Sequence, residues 1–229
     1  VEAWLERRPA VKAAPFAATI DPDWAFPRSY YADLHVHSDD TVGINDTPYN
    51  LTYGRDVGAL DVLGYTANDF QITKAKWEQA VADVRAVHED GRFICYPGIE
   101  WCGNSAVGGD HNVVFLRDRP PEFPFTADGR QVRSFEWNED MTGKAISPGT
   151  WPLEALYEIF AADPEGHLFI PHVGGRRCNL DWHHPELERL IEVASSWGHF
   201  HWLYQDAMAR GYKLGASAAG DEHRGRARS

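Results

Sequence analysis

Cysteine is sparse in this chain: Cys95, Cys102 and Cys178 are the whole supply in 229 residues. The number is odd and no two form a CxxC pair, so no disulfide framework is implied. Reduced thiols in a cytoplasm-like compartment are the expectation. Positive charge is also short. The 22 Lys and Arg are outnumbered by 34 Asp and Glu, for a formal net charge of -12. A nucleic-acid partner needs a basic face and is not expected, whereas the acidic excess suits a protein that gathers cations with carboxylates. No apolar run approaches the length of a membrane span, and the N-terminus lacks a signal-peptide core, so no membrane partner is expected. No GxGxxG follows the first apolar strand and no GxSxG occurs, which removes the usual marks of a dinucleotide fold and of a serine nucleophile. Internal repeats and low-complexity linkers are missing. The first residue is Val1 rather than Met, the mark expected of a processed chain or of a piece of a longer one.

What is present is enough apolar material, 43% of residues, to bury a sizeable core. Residues 1–28, rich in Pro and Ala, read as an N-terminal arm lying on a domain that spans 29–229. From there the pattern alternates. Runs of β-branched and aromatic residues at 31–36, 62–66, 93–99, 112–116, 168–171, 190–194 and 214–217 read as strands. Helical periodicity marks 47–58, 74–89, 152–162 and 202–210, with Gly91 as a stop and Pro152 in a first turn. Residues 117–149 form a long irregular loop, a length that usually signals a functional segment or lid. Strands alternating with helices predict an α/β fold with a parallel sheet, and about seven strands predict a closed or nearly closed barrel of TIM type. An open doubly wound sheet is the alternative.

The chemistry sits at the strand ends. In "YADLHVHSDDT", His35 and His37 are two apart on a strand and project to one side. In "FICYPGIEW" a strand runs into Glu100, a carboxylate costly to bury without a partner. "GGDHNVVFL" places Asp110 and His111 at a strand edge, "LFIPHVGG" ends on His172, and "LGASAAGDEHRGR" delivers Asp221 and His223, again two apart. Any one of these has an ordinary structural explanation. Together, a histidine or carboxylate at five separate strand ends predicts a shared metal site.

The same set, from HxH through "GYTAND", the strand-end Glu, "DHN", "PHVGG" and "GDEH", resembles the polymerase-and-histidinol-phosphatase (PHP) superfamily over residues 31–224. The resemblance implies a distorted seven-stranded β/α barrel with two to three divalent metals, Zn, Mn or Fe, at the C-terminal ends of its strands. It implies that His35, His37, Glu100 and Asp221 hold one metal, and that Glu100 bridges to a second completed by His111 and His172. A third would use His223, Asp39 or Asp40, and the residue after the second strand. There the chain departs from the family's Asp-His-Asp and reads Ala67, Asn68, Asp69. Either Asp39, Asp40, Asp69 and His223 hold the third metal, with Asn68 at most a weak oxygen donor, or that metal is weak or absent. Asp39 and Asp40 have a rival role as caps of a turn or helix.

Paired metals would lower the pKa of a bridging water and polarise a substrate oxygen, with Glu100, Asp221 and His223 as the catalytic ligands. Arg176 and Arg177 after His172, and Arg224 and Arg226 after His223, are candidates to clamp a phosphate. His183, His184, His199 and His201 are candidates to protonate a leaving group. Trp101, Trp151, Trp182 and Trp197 are candidates for an aromatic wall, with plain packing as the alternative. The expected activity is metal-dependent hydrolysis of a small phosphate ester. The rivals are hydrolysis of a carboxylic ester, lactone or amide by the same centre, and a non-catalytic metal-binding module of a larger protein.

Overall fold

Two strand breaks shape the chain, and both come from single residues. The computed structural model describes residues 30–117, 133–134 and 150–227. The expected arm and most of the 117–149 loop lie outside the described residues. Strand β1 (Ala32–Val36) leads through α1 (Thr47–Asp56) to β2 (Val62–Tyr65), β3 (Ala67–Asn68) and α2 (Lys74–Val87). Then come β4 (Ile94–Tyr96), β5 (Gly98–Cys102) and β6 (Asp110–Phe115). The short strands β7 (Arg133–Ser134) and β8 (Thr150–Trp151) precede α3 (Leu153–Phe160). The chain continues through β9 (His167–Pro171), β10 (Leu190–Ser195), β11 (Gly198–His199), α4 (His201–Ala209) and β12 (Gly215–Ala218). The single strand expected at 93–99 is split by Pro97, which has no N–H to give a ladder. Thr66 separates β2 from β3, its Oγ1 accepting from the Val36 N–H at 3.1 Å.

The helices start where the sequence offers caps. Asp46 accepts from the Tyr49 N–H ahead of α1, and Thr73 accepts from the Lys76 N–H ahead of α2. Helix α2 ends at Val87 with His88 as its cap, while Gly91, at φ 76°, turns the chain into β4 instead of capping the helix. Pro152 stands at the N-cap of α3, one place before the expected first turn.

The sheet is mixed, which corrects the all-parallel expectation. Strands β1, β2 and β4 pair in parallel, as do β3 with β5 and β10 with β12. Strand β6 runs antiparallel to both β5 and β9. Residues 103–109 join β5 to β6, too few for a parallel crossover, which takes about a dozen. Among the described residues no sheet closes into a barrel. Isolated bridges, Phe169 to Glu188 and Val36 to Glu222, link the sheets to one another. Val114, Leu168 and Ile170 also form one interior with Leu34, Tyr96, Leu116 and Leu190, drawn from separate sheets. Outside, α1 and α2 cover β1–β2–β4 through Leu51, Leu63, Ala80 and Val84, and α3 covers β5–β6–β9 through Leu153, Leu156 and Phe160. Burying each such side chain is worth about 1.5–3 kcal/mol. All three cysteines are free and buried, and burial pushes each thiol up, away from nucleophilic use. No helix among the described residues is long and apolar enough to cross a membrane.

Candidate metal centre

His35 ends up beside His37 because both point from the same side of β1: their Nε2 atoms stand 3.1 Å apart. Asp221, three residues past β12, meets both, with Oδ1 3.3 Å from His35 Nε2 and 3.2 Å from His37 Nε2. It does so from a left-handed backbone, φ 45°, rare for a residue with a side chain. Glu100, central in β5, brings Oε2 to 3.6 Å from His37 Nε2 and Oε1 to 3.1 Å from His172 Nε2, just beyond β9. His223 packs its ring 4.6 Å from that of His37, and its Nδ1–H donates to the Asp221 carbonyl at 2.9 Å. Donor atoms converge within 4.8 Å of one another in three sets: His35, His37 and Glu100; His37, Asp221 and His223; Glu100, Asp110 and His172.

All of these except His223 are buried. Burial alone would strip His35 of its proton, but the Asp221 and Glu192 carboxylates outweigh it and lift the imidazole to about 10. Burial works against Glu100 and Asp221 too, yet the surrounding imidazoles hold both carboxyls below the usual range. At His37 burial wins and the pKa falls. Glu100 and Asp221 thus stay charged among the imidazoles, while burial and the neighbouring Glu100 lift the Asp110 carboxyl to about 7, so the cluster calls for positive charge. Unpartnered atoms remain in the same place: His37 Nδ1, His172 Nδ1 and Asn68 Oδ1. Imidazole and carboxylate donors, orphaned buried nitrogens and a demand for cationic charge together fit a divalent metal centre.

Two carboxylates absent from the expected set hold the centre in shape. Glu192, in β10, accepts from His35 Nδ1–H at 3.0 Å, which turns the Nε2 edge of the ring toward His37 and Asp221. Asp33 accepts from the His35 N–H at 3.2 Å and from the Gly220 N–H at 2.9 Å, tying β1 to the approach to Asp221. Burial lifts the Asp33 carboxyl to about 6. Glu192 lies inside an apolar strand run, where the cost of burying a carboxylate that singled out Glu100 applies as well.

Other expected residues lie elsewhere. Asp39 is exposed, and its carbonyl accepts from Lys76 Nζ at 3.0 Å. Asp40 accepts from Thr47 Oγ1 at 2.6 Å and Tyr65 Oη at 2.9 Å, inside the turn after His37. Asp69 accepts from the Cys102 N–H at 2.9 Å. None of the three joins a donor set. Asn68 does reach the centre, with Nδ2 donating to Glu100 Oε2. His111 faces away, its Nε2 3.3 Å from Glu188 Oε1. Arg176 reaches the pocket beside Phe70, gripped by Asp110 through Nε at 2.5 Å and through its backbone N–H at 2.8 Å. Arg177 instead lies over Trp202, 5.5 Å from the ring. Arg224 and Arg226 are exposed, and Arg224 lines an adjoining pocket with Trp197 and His223. His183 donates to Glu188 at 2.6 Å, His184 packs on Tyr157, and His199 and His201 are exposed. Trp197, 55% exposed, stands at the pocket with Val42 and Phe70, while Trp101 is wholly buried. Trp182 packs on the core under α3, and the Trp151 side chain lies outside the described residues. Another pocket, between α2 and β4, is lined by Val84, His88, Tyr96 and Leu116 and holds none of the donor sets.

No protein-family model and no curated sequence matches the chain. Solved structures do. A two-domain protein from Bacteroides vulgatus, containing a predicted PHP-like metal-dependent phosphoesterase, superposes with a TM-score of 0.54 at 15% identity over 93% of this chain. The likeness is one of fold. This chain spans 58% of that protein's length. A Bifidobacterium adolescentis protein, a metal-dependent phosphoesterase by prediction, superposes with a TM-score of 0.53 at 15% identity, covering 88% of this chain and 90% of its own. At that identity the PHP-like likeness is one of chain path, and the donor sets are this chain's own evidence.

Proposed function

We propose that the chain is a metal-dependent phosphoesterase acting on a small phosphate ester. The observation that carries this reading is the convergence of His35, His37, Glu100, His172, Asp221 and His223 from separate strands, with His37, Glu100, Asp221 and His223 lining a pocket that also holds Arg176. Both structural relatives carry names that predict metal-dependent phosphoesterase activity. His35, His37, Glu100 and Asp221 would hold one ion, Glu100 and His172 would reach a second, and His223 with Asp221 would serve an outer position. Zinc, manganese or iron bound there would supply an activated water and neutralise charge building on the phosphoryl oxygens.

The residues of the chain do the rest. Glu192 fixes the His35 ring so that Nε2 faces the ions. Asp110 holds the Arg176 guanidinium at the pocket, where its remaining N–H groups can orient a phosphate. His223, with Nδ1–H committed to the Asp221 carbonyl, presents Nε2 for a ligand. Trp197 and Phe70 offer apolar surface to an organic leaving group. We further propose that the linked sheets form a distorted seven-stranded barrel around these residues, since a single interior joins them.

The metal-loaded protein should turn over at least one member of a phosphomonoester and phosphodiester panel, lose that activity to a chelator and regain it on metal addition. Arg176→Gln should slow it by ~100-fold or more. Silence across the panel at stoichiometric metal occupancy would overturn the reading. One observation favours a second: Arg177 is spent on Trp202 and Arg176 is already paired, so the phosphate clamp is thin. A carboxylic ester, lactone or amide substrate needs no such clamp, and a rate unchanged by Arg176→Gln on such a substrate would point to it.

A further inference from the structure

Strand β6 opens with Asp110, His111 and Asn112, and pairing decides which of them faces the metal centre. The antiparallel register sets Cys102 against Asp110, Trp101 against His111 and Glu100 against Asn112. Directly opposed residues share a face and neighbours alternate. Asp110 and Asn112 therefore share the face of Glu100, while His111 shares the face of Trp101. On that outer face His111 Nδ1 donates to the Gly109 carbonyl at 3.2 Å, and its ring meets Tyr157 edge-on at 6.4 Å.

On the inner face Asp110, Glu100 and His172 bring one donor atom each within 4.8 Å of one another. Backbone bonds fix the arrangement, with the His172 N–H donating to the Asp110 carbonyl at 3.2 Å. Gly174 closes over the pair: a Cβ there would stand 3.0 Å from Asp110 Oδ2 and 3.2 Å from His172 Nε2. The Asn112 amide, fully buried across from Glu100, has neither its oxygen nor its nitrogen partnered, and His172 Nδ1 is likewise unpartnered. Arg176 Nε pairs with Asp110 Oδ1 at 2.5 Å while His172 Nε2 stands 3.1 Å from Glu100 Oε1, so both carboxylates and the imidazole are held facing one point.

We propose that Asp110, and not His111, completes the second metal position with Glu100 and His172. The proposal rests on the reading of the site as a metal centre. It makes the "DHN" stretch an alternating device: the aspartate binds inward, the histidine braces the outer layer, and the asparagine faces Glu100. Asp110 then touches both the ion and Arg176, which sets the guanidinium beside the second metal.

Metal content decides it. Each variant is purified, saturated with Mn²⁺, desalted and measured by elemental analysis, with binding followed by titration calorimetry. Asp110→Asn should carry one ion fewer per chain than the unaltered protein, and His111→Gln should carry the same number. Loss of an ion in His111→Gln with retention in Asp110→Asn overturns the proposal and leaves the metal centre standing. An unaltered chain that takes up no Mn²⁺, Zn²⁺ or Fe²⁺ overturns the centre itself. If either variant fails to fold, anomalous maps of the unaltered protein soaked in Mn²⁺ decide. A peak bonded to Asp110 supports the assignment and one bonded to His111 defeats it.

Discussion

Histidine and glutamate meet at both faces of the β5–β6–β9 sheet, and the two faces use them differently. On the outer face Glu188 accepts from His183 at 2.6 Å and from the Tyr157 hydroxyl, with His111 3.3 Å away. Burial would raise its carboxyl, but those neighbours hold it below the usual range. Each carboxylate oxygen there has a side-chain partner, under the cover of α3. On the inner face Glu100, Asp110 and His172 crowd one another, and imidazole nitrogens are left over. The same residue types form a braced carboxylate on one side, where His111 Nε2 and Trp101 Nε1 are still unpartnered, and a crowded set of metal donors on the other. Composition does not separate them; the convergence of donor atoms does.

Substitutions on each side should break this contrast in opposite ways. The largest effect belongs to the inner side. Asp221→Asn, which takes the charge from between His35 and His37, should reduce turnover below detection while circular dichroism stays native. Full activity at saturating metal would remove Asp221 from the centre. On the outer side Glu188→Ala strands two imidazoles and a phenol in the core, and should cost about 3–5 kcal/mol. Urea unfolding would show that loss, with metal content unchanged in the folded fraction.

Smaller effects sharpen the contrast. Glu192→Gln keeps the shape of the His35 partner but weakens its pull, so metal affinity should fall by roughly 10–100-fold. Calorimetric titration reads it directly, and an unaltered affinity would make Glu192 a bystander. His167, outside both clusters, gives the mildest. Burial lowers its pKa below that of the unfolded chain, so the unfolded state binds more protons as pH drops through the range near 6.5. Its contribution is full above that range and is lost as pH falls toward the folded value. His167→Phe should flatten the slope of stability against pH between about 7 and 5. A slope identical to that of the unaltered chain would assign the acid sensitivity elsewhere.

Much of the fold could be read from residue order. The strand runs at 31–36, 62–66, 168–171, 190–194 and 214–217 each coincide with an observed strand, and all four helices start and end within two residues of their expected bounds. Periodicity carries that information locally. The direction of β6 was not legible, because it depends on the short 103–109 link and not on any pattern within the strand. The same gap hid which of Asp110 and His111 turns inward. The third-metal set drawn from Asp39, Asp40 and Asp69 failed to assemble for a related reason. Local hydrogen bonds at the turn claim Asp40, the role that stood as its rival reading, and the Cys102 N–H claims Asp69, which no local pattern marks. Glu192 was within reach, since the cost of burying an unpartnered carboxylate had already marked Glu100 and applies equally inside the 190–194 run.

The left-handed backbone at Asp221 limits how this pocket can be altered. Among side-chain-bearing residues, asparagine and aspartate tolerate that conformation best. Glycine would adopt it freely but would give the segment slack, and a bulkier replacement would pull the loop after β12 out of line. Anyone redesigning the electrostatics of this spot therefore inherits a very small alphabet, in which one amide is the sole neutral letter that leaves the main chain where it was.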